Sequence, residues 1–176
     1  NLNFGYTDDV YWFRFNIENS TNKRQLTNIE LGYNVLDFVD VYIVQPNKET
    51  RLIELGDKHP FPERLVDHRN FIIPMDLAAE ASATVYMRIQ TTSSMQVPMF
   101  LWRDHSLLKI TQSQMLGLGI YFGTMGVMVL YNLFVFFSVR ESNYLYYVLY
   151  VASIAMFFSS LSGISFQYLW PNNIWW

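Results

Sequence analysis

Met115–Val139 reads MLGLGIYFGTMGVMVLYNLFVFFSV, and neither it nor the five residues before it, Ile110–Gln114, contain a charge. About 20 such residues cross the hydrocarbon core of a bilayer, whereas a buried helix of a soluble domain is normally shorter and keeps a polar stripe. Residues 115–139 are therefore read as a transmembrane helix. Toward the C-terminus, Arg140-Glu141-Ser142-Asn143 forms a short polar turn, 140–143, and a second apolar helix is expected over 144–169. Together they make an α-helical transmembrane hairpin. Tyr168-Leu169-Trp170-Pro171 supplies the aromatic residues expected at a membrane interface and a proline that stops the helix, so 170–176 is read as the start of the next loop. Arg140 is the one cation in the short turn, which by the positive-inside rule puts that turn in the cytoplasm and the N-terminal part outside it.

The charge distribution separates this membrane part from the rest. Of 12 Lys+Arg and 15 Asp+Glu, all but Arg140 and Glu141 lie at or before Lys109. Soluble domains carry about 25% charged residues throughout, so two kinds of chain are joined, with 105–114 as linker. The net charge of -3, with no basic block, leaves no electrostatic footprint for nucleic acid. The chain has no cysteine, which excludes disulfide frameworks and thiolate chemistry. The hydrophobic share of 51% excludes disorder. The chain opens Asn1-Leu2-Asn3 with no signal peptide in view, and a removed leader or a longer parent chain is expected.

Residues 1–104 alternate with period two. Tyr11, Phe13, Phe15 and Ile17 fall on one face of a strand, opposite Trp12, Arg14, Asn16 and Glu18. Ile29, Leu31, Tyr33 and Val35 continue the pattern after a polar turn at 19–23. Phe38–Val44 and Arg51–Leu55 follow, separated by Gln45-Pro46-Asn47-Lys48. Gly56–Arg69 is read as a long surface loop, Phe71–Pro74 as a brief strand and Met75–Ala83 as a turn with one helical loop. Thr84–Thr91 turns Val85, Met87 and Ile89 inward, and Val97–Arg103 closes the set. Seven short strands with no amphipathic helix between them predict an all-β antiparallel sandwich, an extracytoplasmic domain over 1–104.

The candidate ligand-binding residues are Trp12, Arg14, Asp37, Arg64, Tyr86 and Arg88. Aromatic faces beside guanidinium groups can stack on a sugar and hydrogen-bond it, or hold an anion. The structural alternative is that Trp12 and Tyr86 cap a sheet edge while the arginines pair with Asp37 or Asp57. Arg64 and Asp67 lie in the long loop, as a rim or lid. Trp102 and Arg103 are expected to anchor the membrane-proximal end. His59, His68 and His105 lack paired ligand spacing and are read as surface or loop histidines. No metal, cofactor or catalytic group is expected, because Asp37 and Asp40 lie three apart on a strand and project to opposite faces. Asn19-Ser20-Thr21 matches a glycosylation acceptor by coincidence. Gly119 and Gly123 form a small-xxx-small pair suited to close helix contact, and Asn132, mid-helix, calls for a helical partner.

The order of elements resembles bacterial seven-transmembrane receptors with diverse intracellular signalling modules. In the ectodomain the likeness rests on Tyr11-Trp12-Phe13-Arg14, Leu36-Asp37-Phe38-Val39, Gly56-Asp57, Pro62 with Arg64, and Tyr86-Met87-Arg88-Ile89. These are similar to the type-2 extracellular domain of that family. Gly117-Leu118-Gly119-Ile120-Tyr121, Leu130-Tyr131-Asn132-Leu133, Arg140-Glu141 before Tyr144-Leu145-Tyr146-Tyr147, and Gly163 with Gln167-Tyr168-Leu169-Trp170-Pro171 are similar to its first two helices. The resemblance implies a jelly roll akin to carbohydrate-binding modules, in the periplasm, on a receptor of the bacterial cytoplasmic (inner) membrane. It also implies five further helices and a cytoplasmic histidine kinase or diguanylate cyclase. Expected partners are a small-molecule or carbohydrate ligand, membrane lipid and a second copy of the receptor. The competing reading is a non-signalling carbohydrate-binding or adhesion module tethered by its helices.

Overall fold

The computed structural model describes residues 2–46 and 48–173; Asn1, Asn47 of the 45–48 turn and residues 174–176 of the expected last loop lie outside the described residues. Among the described residues nine strands precede three α-helices: β1 (Leu2–Tyr6), β2 (Tyr11–Glu18), β3 (Gln25–Leu31), β4 (Phe38–Val44), β5 (Arg51–Leu55), β6 (Phe71–Leu77), β7 (Ser82–Gln90), β8 (Ser94–Val97), β9 (Met99–Arg103), α1 (Asp104–Val139), α2 (Ser142–Leu161) and α3 (Ile164–Tyr168), with a 3-10 turn at Phe61–Glu63 between β5 and β6.

All strand pairing is antiparallel, with one layer ordered β2-β7-β4-β5 and the other built from β6-β3-β9 and β1-β8. Pro98 divides β8 from β9, since it has no N–H to continue a ladder; its carbonyl instead accepts from Gly32 N–H at 2.9 Å. Joined across that proline, β8 and β9 act as one bent strand lying between β1 and β3. The layers then hold four strands each in jelly-roll order. Inward residues of both layers form one core that includes Val39, Val41, Val85, Met87 and Ile89 from the first and Leu31, Phe71, Ile73 and Leu77 from the second.

Three expectations need correction. β1 escaped notice because Gly5, at φ 71, and a register shift between Asn3 and Gly5 break the period of two. Met75–Ala83 is not a helical loop: β6 continues through Leu77, and Pro74 is tolerated because β6 is an edge strand. The expected single strand Val97–Arg103 is the β8–β9 pair broken at Pro98.

The segment 105–114, read as a linker, is helical. α1 has 36 residues, a length of about 54 Å, so its first turns stand clear of a bilayer on the sandwich side. α1 ends where Arg140 adopts a left-handed conformation, φ 62, and its N–H donates to Phe136 O at 2.7 Å. Ser142 and Asn143, expected in the turn, already belong to α2. The second helix, expected to run to 169, stops at Leu161. Gly163 turns the chain with φ 76, and the short α3 follows. Within His105–Val139 and Ser142–Leu161, stretches of 18 residues have mean hydropathy of 1.8 and 1.5, and apolar side chains of these helices, among them Leu116, Leu130, Phe134, Phe137 and Tyr150, point outward. Water does not accommodate such a surface; hydrocarbon does. Hydroxyl and amide groups on these helices bond back to the preceding turn, as Thr124 does to Ile120 O at 2.8 Å and Asn132 to Met128 O at 2.8 Å, which satisfies donors that lipid cannot. Gly119 and Gly123 have nothing within 4 Å of an added Cβ, so they do not make the α1–α2 contact.

Candidate ligand-binding face and the seam to the helices

Trp12, Arg14, Tyr86 and Arg88 meet on one surface. The β2–β7 register sets Trp12 opposite Arg88 and Arg14 opposite Tyr86, while β4 sets Asp40 opposite Arg88 and Tyr42 opposite Tyr86. All point away from the core, whose residues alternate with them. Trp12, 59% exposed, reaches diagonally to stack on Tyr42 with ring centroids 5.9 Å apart at 25°. The Arg14 guanidinium lies 5.6 Å from the Tyr86 ring centroid. Arg88 donates from Nη1 to Asp40 Oδ2 at 2.9 Å and from Nη2 to Gln90 Oε1 at 2.8 Å, so its charge is compensated and its head fixed. The result is a pair of stacked aromatic rings bordered by donors. Such a surface can stack on an apolar ring face and hydrogen-bond polar groups at its rim. Asp40, Tyr42 and Gln90 were missed as members, and the alternation of β4 placed the first two on one face. Only strand pairing shows which face they join.

Asp37 and Arg64 are not part of this surface. Asp37, just before β4, is buried, and its Oδ2 accepts from Thr92 N–H and Oγ1–H, each at 2.7 Å. It ties the β7–β8 connection to the start of β4. The expected pairing of arginines with Asp37 or Asp57 is likewise replaced, on the outer face, by Arg88 with Asp40.

Arg64 lies in the 56–70 loop, which is no free lid. The loop folds over the membrane helices. The Arg64 guanidinium is caged by Phe61, Phe71 and Phe166 at 4.6, 4.5 and 5.4 Å and donates to His68 O and Arg69 O at 3.1 and 2.8 Å. Burial pushes its pKa down to about 10, so it stays cationic at neutral pH. Arg69 donates to Gln114 Oε1 on α1 at 2.6 Å and to Ser162 O beyond α2 at 3.4 Å. Phe61 N–H donates to Pro171 O at 2.8 Å, and Gln167 Nε2 donates to Asp67 Oδ1 at 2.8 Å. Gly163 fits so tightly that an added Cβ would lie 2.3 Å from Asn34 Nδ2.

His68 is the histidine that departs from expectation, being buried in this seam. Its Nδ1 accepts from Asn70 N–H at 3.0 Å, which leaves Nε2 to donate to Thr111 Oγ1 on α1 at 3.2 Å. Burial holds its pKa below the ordinary value. Next to it, buried Glu30 accepts from Asn70 Nδ2 at 2.6 Å and from Trp102 Nε1 at 2.5 Å. Trp102 thus ties the end of β9 to the sheet beside the start of α1. Among the described residues no group of three or more His, Asp or Glu could hold a metal ion. Asn19 is buried, with its Nδ2 donating to Lys23 O at 2.8 Å and Ala78 O at 2.7 Å, which closes it to glycosylation.

Residues 1–103 match the family model described as 7TMR-DISM extracellular 2, and residues 114–176 match that described as 7TM diverse intracellular signalling. The chain belongs to the 7TMR-DISM family. In the terms of that family it carries the extracellular and transmembrane domains of a sensing receptor. It is a membrane protein whose N-terminal domain lies outside, and the two matched domains are a sensory domain and a membrane domain. No curated protein matches the chain. A solved structure described as a family GH115 4-O-methyl-alpha-glucuronidase with specificity for decorated arabinogalactans is similar over 57% of this chain and 14% of its own, with 13% identity and a TM-score of 0.32.

Proposed function

We propose that the chain is the periplasmic sensor and first membrane helices of a receptor in the bacterial cytoplasmic membrane. Its outer sheet face takes a carbohydrate, and its output is a histidine kinase or diguanylate cyclase borne elsewhere on the receptor. The observation that carries this reading is the convergence of Trp12, Tyr42, Arg14, Tyr86 and Arg88 on one exposed face. A sugar stacked on Trp12 and Tyr42 and bonded to Arg14 would order the β2-β7-β4 surface. β4 leads back through Asp37 to the loop that grips α1 and the end of α2, so ordering on the face has a covalent and hydrogen-bonded route to the helices. A ligand shifts the helices only by its difference in affinity for two states of this seam. The seam supports the receptor reading over the tether, since a tether needs no loop bonded to two helices.

The test is binding of soluble neutral and acidic oligosaccharides to the full chain in lipid nanodiscs, compared with Trp12→Ala and Tyr42→Ala. Loss of one stacking ring is expected to weaken binding by about fivefold, from about 1 kcal/mol of aromatic contact. Affinity unchanged in both variants removes the face from ligand binding.

A further inference from the structure

Asp57 sits where the jelly roll meets the helices, and its Oδ1 is buried without a hydrogen-bond partner. The backbone forces it beside Asp37. Asp57 N–H donates to Leu36 O at 2.9 Å and Lys58 N–H to Asp37 O at 3.3 Å. Gly56, at φ 147, passes so close that a Cβ there would lie 2.0 Å from Asp37 O. Asp37 is itself held in place by Thr92. Asp57 also lines a cavity of about 300 Å³ whose other walls include Ser160, Leu161, Gly163, Phe166 and Trp170, from the end of α2 through α3. Those helical residues carry no titratable or charged group, so the charges facing Asp57 are Asp37, Lys58 and Arg64.

We propose that the Asp37–Asp57 pair is an acid-sensitive latch between the jelly roll and the membrane helices, an input separate from the ligand face. A proton on Asp57 lets the seam close without a second charge beside Asp37. Without it, Asp57 adds a negative charge beside Asp37 in a half-buried seam, and the 56–70 loop is pushed off α2 and α3. Burial first, and the charge of Asp37 second, push Asp57 up to about 6 in the closed seam, from an ordinary value of 3.8. Between those values the closed seam holds a proton that an open, hydrated Asp57 does not, so closure is favoured by acid and weakened as pH rises through about 6. His68 acts in the opposite sense against α1, because it is held neutral by burial and acid would charge it.

The full chain in nanodiscs tests this directly. It has no cysteine, so nitroxides on Leu65→Cys in the loop and Leu169→Cys after α3, both exposed, report the seam without background. In a His68→Gln background, the spin–spin distance distribution is expected to be narrow at acid pH and to broaden with a midpoint near the Asp57 value. Asp57→Asn should stay narrow throughout, and Asp37→Asn should move the midpoint to lower pH; the second variant carries the test if the first does not fold. A distribution that ignores pH in the His68→Gln background, or a midpoint unmoved by both carboxamide variants, overturns the latch.

Discussion

Replacing Arg69 with Gln removes a side chain that bonds both to α1 and to Ser162 just past α2. Its bond to Gln114, 2.6 Å long, is a charged-to-neutral contact of a kind that contributes about 1.5–3 kcal/mol. The 3.4 Å contact with Ser162 O is near the limit of hydrogen bonding and adds little. Arg69 is only partly buried, so the lower end of that range applies, and about 1.5 kcal/mol corresponds to roughly tenfold in the opening equilibrium. The Phe61 amide reports it, since Phe61 N–H crosses the seam to Pro171 O. Hydrogen exchange of that amide in the nanodisc-bound chain should quicken about tenfold in Arg69→Gln and by nearly as much in Gln114→Ala, since the Ser162 contact left to the arginine adds little. The double variant should be no worse than Arg69→Gln, giving a coupling of about 1 kcal/mol or more. Additive effects, or a change below about twofold, would show that the seam is held by something else.

Three further outcomes are expected. Gly163→Ala forces an L residue to φ 76 and a Cβ against Asn34; the left-handed backbone alone costs about 1–2 kcal/mol, so seam amides should exchange faster, and Asn34→Ala in the same chain should recover part of the loss. Asn19→Ala strips the donor from Lys23 O and Ala78 O and the acceptor from Thr21; a fall of about 2 kcal/mol in ectodomain stability by thermal unfolding is expected, and in a glycosylating host the native chain should show no glycan mass at Asn19. His68, held neutral by burial, contributes stability that is present above its ordinary value of 6.5 and lost as pH falls from there through its lower folded value. Exchange around Thr111 should therefore quicken on acidification in the native chain and respond less in His68→Gln.

The sequence by itself determined the two materials and most of the elements. The charge gap after Lys109 and the unbroken Met115–Val139 run mark the membrane part, because hydrocarbon tolerates no charge along its length. Strands β2, β4, β5 and β7 were legible because one face is buried and one is wet, which imposes alternation in any such sheet. β1, the continuation of β6 past Pro74 and the β8–β9 break were not, since a bulge, an edge proline and an interior proline acquire meaning only from neighbouring strands. The same limit governed the site. Trp12 and Arg14 announced an outward aromatic and cation, as did Tyr86 and Arg88, but only the β2–β7–β4 register joined them and added Asp40 and Tyr42. Arg64, Asp37 and His68 were visible as polar residues, yet whether they face ligand, solvent or helix depends on contacts between residues about 40 to 100 positions apart. Local pattern fixes which side chains leave the core; only the tertiary structure decides what they meet when they do.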